Sequence, residues 1–217
     1  SGLGSSAASA VAALVGVNEL LGKPLKQDEL LVHGMAGEAV VSGGFHADNI
    51  APALFGGIIL IRSYEPLDIL HLPVPNNLFS TAVLPDFTVN TREARSILPK
   101  HVPLKTAIAQ AGNLAGFTLA LHNGDFDLLG RSMVDHLAEP HRAKLIPGYD
   151  HVRQSAIDTG AIGCGISGSG PSVFALSDSL EKAEKIGLAM VNAFKNSGLT
   201  SQSYCSPIHT QPPEIVD

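Results

Sequence analysis

Cysteine and basic residues are both scarce in this sequence of 217 residues. Its two cysteines, Cys164 and Cys205, lie far apart, which argues against a disulfide framework and favours a reducing, cytoplasmic location. Lysine and arginine number 14 against 20 aspartate and glutamate residues, which gives a formal net charge of -6. Because a nucleic-acid-binding surface usually carries a basic stripe, we do not expect a nucleic acid as a partner.

Long hydrophobic runs are also absent, although 45% of the residues are hydrophobic. The longest apolar run, Ala7 to Val17, is interrupted by Ser9 and Gly16 and is too short to span a bilayer. No segment has the pattern of a signal peptide, and no membrane partner is expected. The sequence also starts without methionine, inside a glycine-rich loop of a kind that ordinarily follows a strand or a packed turn. We therefore expect an upstream portion to precede it.

A glycine- and serine-rich loop opens the sequence and leads directly into an alanine-rich helix. Its residues are Gly2, Leu3, Gly4, Ser5, Ser6 and Ala7. Backbone N–H groups and the positive end of a helix dipole converge at such a junction, which suits a bound anion. Glycine lets the backbone approach a ligand closely, and the two serines either cap the helix or turn their hydroxyls toward a phosphate or its metal. The loop therefore predicts a phosphate site.

Other interpretations of this loop agree less well with its surroundings. The pattern Gly2-x-Gly4-x-x-Ala7 formally matches the dinucleotide fingerprint, which requires a strand before it and an acidic residue on a second strand about twenty residues later. Here the first helix leads through Lys23 and Pro24 to another helix, so a Rossmann dehydrogenase is disfavoured. A Walker A loop is excluded because no lysine follows the last glycine. A purely structural capped turn remains an alternative.

A second glycine-rich stretch lies near the end of the sequence. The pattern Gly163-x-Gly165-x-x-Gly168 continues through Gly170 and opens a strand, which again argues against a Rossmann role. On its own, such a stretch is equally well explained as a tight hairpin. Two glycine-rich loops in one chain favour a shared phosphate site, to which Gly168 and Gly170 would contribute.

The order of elements predicts an α+β fold with two domains, residues 1–75 and 76–217, separated by a proline- and asparagine-rich segment. In the second domain the order strand–helix–strand–strand–helix–strand is typical of a ferredoxin-like split βαβ arrangement. We expect the first helix to be buried on most sides, Asp48 to cap a short helix, and the tail after Gln211 to be loose. Helices are predicted over residues 7–21, 29–40, 49–55, 91–98, 103–121, 125–133, 149–158 and 180–196, with the second helix ending at Gly43 and Gly44. Strands are predicted over 57–62, 67–72, 79–84, 161–165, 172–176 and 203–208.

Glu38 lies on an otherwise apolar helix, and a solvent-exposed helix face is the ordinary explanation for such a residue. If it is buried, its carboxylate needs a partner. Magnesium held by one carboxylate, one hydroxyl and nucleotide phosphates is a common arrangement, and Glu38 with Ser6 would supply both protein ligands.

Two further pairs of residues are candidates for binding a small polar substrate. His46 and Asn49 bracket a turn, where they either hold a substrate or satisfy the turn itself. Arg95 and Arg142 are either ordinary surface ion-pair residues or, if they face one site, two guanidinium groups suited to a substrate carboxylate.

With these motifs the sequence resembles the GHMP kinases, the small-molecule kinases named for galactose, homoserine, mevalonate and phosphomevalonate. Residues 1–9 are similar to the family's ATP-phosphate loop, and residues 163–172 are similar to its third, glycine-rich motif. Within the family the resemblance is sharpest to the homoserine kinases, because of residues 45–54 (FHADNIAPAL) and 90–99 (NTREARSILP). It covers essentially the whole chain.

The resemblance implies ATP- and Mg²⁺-dependent phosphorylation of the L-homoserine hydroxyl, for threonine synthesis. By position it implies Ser6 and Glu38 as magnesium ligands and Thr91 near the transferred phosphoryl group. It implies substrate binding by four residues, with the two arginines toward the carboxylate: His46, Asn49, Arg95 and Arg142. For a general base it leaves two alternatives: positioning and metal polarisation suffice, or an aspartate acts as the base, as in related members. It allows a homodimer, and the family's upstream region is absent here. A kinase for another alcohol and a non-catalytic nucleotide-binding relative remain alternatives.

Overall fold

The computed structural model describes residues 2–42 and 45–216. Gly43 and Gly44, which were predicted to end the second helix, lie outside the described residues, as does Ser1 of the opening loop. By its internal contacts the chain divides into two compact units, with a boundary between Val74 and Pro75. The first unit comprises Gly4–Val74 and the chain end from His209, and the second comprises Pro75–Ile208 with Gly2 and Leu3.

The first unit consists of three helices and a two-stranded antiparallel hairpin. Its apolar core is formed mainly by Ala7, Val11, Leu31, Ile50 and Leu54, all at most 2% exposed. The elements in chain order are α1 (Ser5–Leu20), α2 (Gln27–Ser42), α3 (Ile50–Phe55), β1 (Ile58–Tyr64) and β2 (Leu67–Leu72).

Helix α1 is less buried than its composition predicts. Of its residues only Ala7, Val11 and Asn18 are buried, whereas Val17 is 55% exposed and Leu20 is 88% exposed. The expectation of burial on most sides is therefore wrong for this chain. The reason is that α2 and α3, the elements of the first unit that pack against α1, cover one of its faces.

The chain end also belongs to the first unit. The Gly57 N–H donates to the His209 carbonyl at 2.7 Å, and a groove lined by α1 and α2 residues also includes Pro212 and Pro213. Of the residues after Gln211, Pro212 is half-buried, whereas Pro213, Ile215 and Val216 are exposed, and the loose tail stays a prediction.

The second unit is a four-stranded antiparallel sheet with helices. Its elements in chain order are β3 (Phe79–Pro85), α4 (Thr91–Ser96), α5 (Leu104–Asn123), α6 (Phe126–Ser132), α7 (Glu139–Arg142), a 3-10 turn (Ala143–Leu145), α8 (Tyr149–Asp158), β4 (Gly163–Ile166), β5 (Val173–Ser177), α9 (Leu180–Asn196) and β6 (Ser201–Pro207). The strand order is β4-β5-β3-β6. Counted within this unit, that order is 2-3-1-4, which is the ferredoxin-like arrangement, and the prediction of an α+β fold is confirmed.

The long helix α9 holds this sheet together from one side. It begins after Ser179, whose hydroxyl accepts the Lys182 N–H, and it buries Ile186, Met190 and Phe194 completely. The buried Thr81 hydroxyl of the central strand β3 donates to the Ala183 carbonyl at 2.8 Å, which satisfies two polar groups in the core. In the described part of the chain, no helix combines the length and the apolar character needed to cross a bilayer.

Candidate active site

Gly2 of the opening loop contacts the second glycine-rich stretch within the second unit. The Ser167 hydroxyl donates to the Gly2 carbonyl at 2.6 Å. Gly2 has a φ of 76°, and a Cβ there would lie 2.5 Å from the Ser167 carbonyl oxygen, so only glycine permits this approach. Of the two glycines predicted to contribute to a phosphate site, Gly168 is exposed and Gly170 is buried.

Helix α1 begins inside the opening loop, two residues earlier than predicted. Gly4 is its N-cap residue, in the left-handed conformation (φ 66°, ψ 20°), and the first helical hydrogen bond runs from Ala8 N–H to Gly4 O at 2.9 Å. The idea that Ser5 or Ser6 caps the helix is therefore wrong, because both lie in its first turn, where both are exposed. No acidic residue occupies this turn, so the helix dipole presents an uncompensated positive end there.

The loop that carries His46 and Asn49 approaches the same helix terminus. A Cβ on Gly4 would lie 3.2 Å from Asn49 Oδ1, which shows that the Asn49 side chain rests against the opening loop. The Ala47 N–H donates to the Tyr64 hydroxyl at 3.4 Å, which ties the loop to β1. His46 is half-buried and Asn49 is exposed.

Asp48 does not cap α3, contrary to the sequence-based expectation. Asn49 is the N-cap residue, and its side chain makes no capping hydrogen bond. Its side-chain amide nitrogen, Nδ2, donates to Asp48 Oδ1 at 3.2 Å. The Asp48 carboxylate thus accepts a hydrogen bond from its neighbour and does not cap the helix.

The two candidate magnesium ligands lie in the first unit. Glu38 is a half-buried residue of α2, and Ser6 lies in the exposed first turn of α1, the helix against which α2 packs. Among residues 2–42 and 45–216 no group of three or more His, Cys, Asp or Glu side chains forms a metal cage. A single carboxylate and a hydroxyl are hard oxygen donors, and this set fits a magnesium ion that takes its other ligands from phosphates and water.

Three other candidates, Thr91, Arg95 and Arg142, lie in the second unit. Asn90 caps α4 by accepting the N–H groups of Arg92 and Glu93, and this places Thr91 at the first helical position. The Thr91 and Ser169 hydroxyl oxygens are 3.4 Å apart. Arg95 is exposed on the same helix.

Arg142 contacts both α4 and the second glycine-rich stretch. Its Nε donates to the Ala94 carbonyl at 3.1 Å and its Nη1 donates to the Gly168 carbonyl at 2.9 Å. Burial lowers the pKa of the Arg142 guanidinium, Asp135 opposes that shift, and the neighbouring Arg95 adds to it. The two arginines are therefore close enough for their charges to interact.

A buried polar cluster lies beneath β4, next to the second glycine-rich stretch. Glu139 Oε1 is 3.4 Å from Arg153 Nε, and Glu139 Oε2 would lie 3.6 Å from a Cβ on Gly165. Burial raises the pKa of Glu139 and also that of Tyr149, and it raises the pKa of Cys164 to about 12. Glu139 is thus paired with Arg153 and lies close to Gly165 of β4, the strand that also contains Cys164.

The predicted site residues are thus divided between the two units. The first unit contains Gly4, Ser5, Ser6, Ala7, Glu38, His46 and Asn49, and the second contains Gly2, Leu3, Thr91, Arg95, Arg142, Gly168 and Gly170. Three residues that contact these loops were not among the predicted site residues: Tyr64, Ser167 and Ser169. For the two serines a signal did exist, since both are hydroxyl residues inside a glycine-rich loop.

Comparison with known proteins identifies the family. The family model described as the GHMP kinases N-terminal domain matches residues 1–57, and the model described as GHMP kinases C terminal matches residues 117–196. Together the two matches span more than half of the chain.

Similar proteins extend this result over the whole chain. The homoserine kinase of Chlorobaculum tepidum is 51% identical over 218 residues, which cover 100% of this chain and 67% of that protein. The homoserine kinase of Arabidopsis thaliana is 47% identical over 187 residues, which cover 85% of this chain and 50% of that protein. A crystal structure of homoserine kinase from Cytophaga hutchinsonii superposes with a TM-score of 0.97 at 50% identity and covers 100% of this chain and 69% of that chain.

The chain spans about two thirds of the length of the Chlorobaculum and Cytophaga proteins and half of the Arabidopsis protein. Within that span the predicted resemblance is confirmed, because both family models match and the identity to homoserine kinases is close to one half. The chain belongs to the GHMP kinase family, among the homoserine kinases.

Proposed function

We propose that the protein transfers the γ-phosphoryl group of ATP to the side-chain hydroxyl of L-homoserine and forms O-phospho-L-homoserine for threonine synthesis. The observation that carries this proposal is the 51% identity to a homoserine kinase over the whole of this chain. The contact between Gly2 and Ser167 supports it, since it places Gly2 of the opening loop beside the second glycine-rich stretch, and successive backbone N–H groups of such loops bind anions.

The opening loop is assigned to the phosphates of ATP. The backbone N–H groups of Gly4, Ser5, Ser6 and Ala7 lie at the positive end of the α1 dipole, with no acidic residue in the turn to repel an anion. Phosphoryl transfer has a loose transition state, so positioning and charge neutralisation supply most of the catalysis. Fixed amide dipoles at this terminus stabilise the negative charge that develops on the phosphoryl oxygens.

Ser6 and Glu38 are assigned to a magnesium ion. When bound, the ion neutralises phosphate charge. The chain's own part is to place one hydroxyl and one carboxylate on two packed helices of the first unit.

Four residues are assigned to homoserine. Asn49 and His46 would hydrogen-bond its polar groups from the loop tied to Tyr64, and Arg95 and Arg142 would place positive charge near its carboxylate. Thr91 is assigned a position near the transferred phosphoryl group, beside Ser169. We assign no general base, because positioning and polarisation of the hydroxyl suffice in this scheme.

A cytoplasmic location and a homodimeric state complete the proposal. The location rests on the small number of cysteines, two that lie far apart in the sequence.

The proposal is tested with the full-length protein in a coupled assay for ADP release. We expect turnover with L-homoserine, and mass spectrometry should identify the product as O-phospho-L-homoserine. Activity with mevalonate or galactose but not with homoserine would reject the substrate while leaving the family intact. Binding of ATP without turnover of any alcohol would favour a non-catalytic relative.

A charge-neutral variant of Glu38 tests its assignment. Glu38→Gln should abolish turnover at physiological magnesium, since the amide is a weaker ligand for a hard divalent cation. The matched control is Glu184→Gln, a change of the same chemistry at an exposed residue of α9, which should keep wild-type turnover. Unchanged turnover in Glu38→Gln would remove the role assigned to this residue.

A further inference from the structure

The start of helix α7 is held by a side chain that lies outside the helix. Asp135 Oδ1 accepts the N–H groups of Leu137 and Ala138 at 2.7 and 2.9 Å. Asp135 Oδ2 accepts the Glu139 N–H at 2.9 Å. The first N–H groups of a helix have no partner inside it, and the N-cap residue of α7, Ala138, has no side-chain acceptor for them. Asp135 therefore caps α7 in place of the N-cap residue.

Arg142 is the last residue of this helix. Helix α7 has four residues, and the Arg142 N–H donates to the Ala138 carbonyl at 2.9 Å. A helix this short gains little from its own hydrogen bonds, so its position depends on contacts at its ends. At the far end, Arg142 Nε and Nη1 donate to the Ala94 and Gly168 carbonyls, two of the donors in a guanidinium that has five. At the near end, the helix is held by Asp135.

Two side chains of α5 hold the backbone on either side of Asp135. Asn113 Nδ2 donates to the Val134 carbonyl at 2.8 Å, and the His136 N–H donates to Gln110 Oε1 at 2.8 Å. Gln110 and Asn113 are three residues apart and so lie on one face of the helix. The position of Asp135 is therefore fixed by a long helix before its own carboxylate fixes α7.

The charge of Asp135 also acts on Arg142. Burial lowers the pKa of the Arg142 guanidinium, the charge of Asp135 opposes that shift, and the charge of Arg95 adds to it. Two positive charges side by side repel each other, and a nearby carboxylate offsets part of that repulsion. Asp135 and Arg142 are both half-buried, where charges are screened less than at an exposed surface. The carboxylate therefore stabilises the pair of guanidinium groups assigned to the substrate.

We propose that Asp135 is a positioning residue for substrate binding: it fixes the start of α7 and thereby aims the Arg142 guanidinium at the carboxylate of homoserine. This inference rests on the proposed function, in which Arg142 binds that carboxylate, and it adds a residue that acts through another. A binding group that is held in place before the substrate arrives loses less conformational entropy on binding. Loss of Asp135 then weakens the binding of homoserine and leaves that of ATP unchanged.

Asp135→Asn in the full-length protein tests this role. Asparagine keeps the shape of the side chain and one acceptor oxygen, but it loses the charge and presents an NH₂ group in place of Oδ2, which accepts the Glu139 N–H. We expect the KM for homoserine to rise about tenfold, the effect of one hydrogen bond to a charged group, while kcat and the KM for ATP stay within about twofold of wild type. A wild-type KM for homoserine, or an equal rise in the KM for ATP, would overturn the positioning role.

Two further variants provide a control and a second test. Asp127→Asn is the same change at an exposed carboxylate of α6 and should match wild type. Asn113→Ala leaves Asp135 in place and removes one bond that holds its loop, so the KM for homoserine should rise about two- to fivefold without an effect on ATP. If Asp135→Asn is too unstable to assay, Asn113→Ala decides, and a wild-type KM for homoserine in that variant would overturn the role.

A double-mutant cycle separates action through Arg142 from an independent effect. Arg142→Ala should itself lower kcat/KM for homoserine. Adding Asp135→Asn should change kcat/KM by no more than about twofold further, because the residue through which Asp135 acts is then absent. A further loss of about tenfold in the double variant would show that Asp135 acts by another route, and it would refute the proposal.

Hydrogen exchange provides a readout that does not depend on the reaction. The amides of Leu137, Ala138 and Glu139 are the three that donate to Asp135. Their exchange should accelerate at least about tenfold in Asp135→Ala and stay at the wild-type rate in Asp127→Asn. If the wild type does not phosphorylate homoserine, the proposed function fails, and this measurement still decides whether Asp135 fixes α7. Unchanged exchange of these amides in Asp135→Ala would show that it does not.

Discussion

Ser167 donates its hydroxyl hydrogen to the carbonyl of Gly2 at 2.6 Å, across 165 positions of the sequence. The bond holds Gly2 against the turn of the second glycine-rich stretch. It also explains the absence of a side chain at Gly2, where a Cβ would meet the Ser167 carbonyl. The placement of Gly2 therefore depends on a residue 165 positions later in the sequence.

Replacing Ser167 with alanine tests this dependence. One hydrogen bond of this kind contributes about 0.5–1.5 kcal/mol, so we expect the KM for ATP to rise about two- to tenfold in Ser167→Ala, with a smaller effect on the KM for homoserine. The control is Ser201→Ala, because the Ser201 hydroxyl is buried without a hydrogen-bond partner in the described part of the chain. That variant should keep the wild-type KM for ATP, and an equal rise in both variants would contradict the assignment.

Much of the fold follows from local sequence signals. The limits of α8 and α9 agree with prediction, since Ser179 is a capping residue before an amphipathic run and Gly148 precedes α8. The alternation of strands and helices in the second unit predicts the ferredoxin-like sheet. These features depend on residues that are close together in sequence.

The predictions are wrong where contacts between residues distant in sequence determine the local structure. The apolar composition of α1 predicts burial, but composition does not tell how many neighbours the helix has within its unit. Asp48 and Asn49 are both good capping residues, and the choice between them depends on where the backbone turns. The two bonds of Arg142 are directed at main-chain carbonyls, which have no sequence signature.

The sequence alone nominates most residues of the candidate site, whereas their roles in one reaction come from the resemblance. Gly4 and Asn49 are brought together in the first unit, and Thr91 is brought to Ser169 in the second. The individual roles of Ser6, Glu38, His46 and Arg95 stay predictions, as do the domain limits at residues 75 and 76. Their spacing alone does not specify a reaction, because carboxylates and arginines of this kind occur on most protein surfaces.

Gly56 lies against the chain end, and we expect its replacement to lower the stability of the protein strongly. This residue has φ 75° and ψ 179°, a conformation that is essentially restricted to glycine, and a Cβ there would lie 2.5 Å from the Gln211 carbonyl oxygen. Gly56→Ala should lower the free energy of unfolding by about 1–3 kcal/mol and release the chain end. Denaturant unfolding and limited proteolysis near residues 209–213 measure the two effects.

The matched control for Gly56 is another glycine-to-alanine change. Gly16 lies inside α1, and no atom lies within 4 Å of a Cβ built there. Gly16→Ala should therefore stabilise the protein by up to about 1 kcal/mol, since alanine is the better helix former. A loss of stability in both variants would show that the contact at Gly56 is not the cause.

Cys164 provides a prediction that depends on pH. Burial raises the pKa of its thiol from an ordinary value of 9.0 to about 12, Arg153 opposes this shift, and Glu139 adds to it. The folded protein therefore keeps the thiol proton between pH 9 and about 12, where the unfolded chain loses it. Folding stability falls as pH rises through that window, because the folded state is then the one that binds more protons.

The same shift protects Cys164 from alkylation, since the thiolate is the reactive form. At pH 8 we expect iodoacetamide to modify the half-buried Cys205 while Cys164 stays unmodified in the native protein. Both should react in denaturant, which is the control for reagent access, and peptide mass spectrometry measures the extent at each position. Cys164→Ala should retain more of its stability than the wild type as the pH rises from 9 to 11, because it removes a proton that only the folded state holds. Rapid alkylation of Cys164 under native conditions would mean that the core around β4 opens readily, and it would contradict the burial that raises the pKa of this thiol.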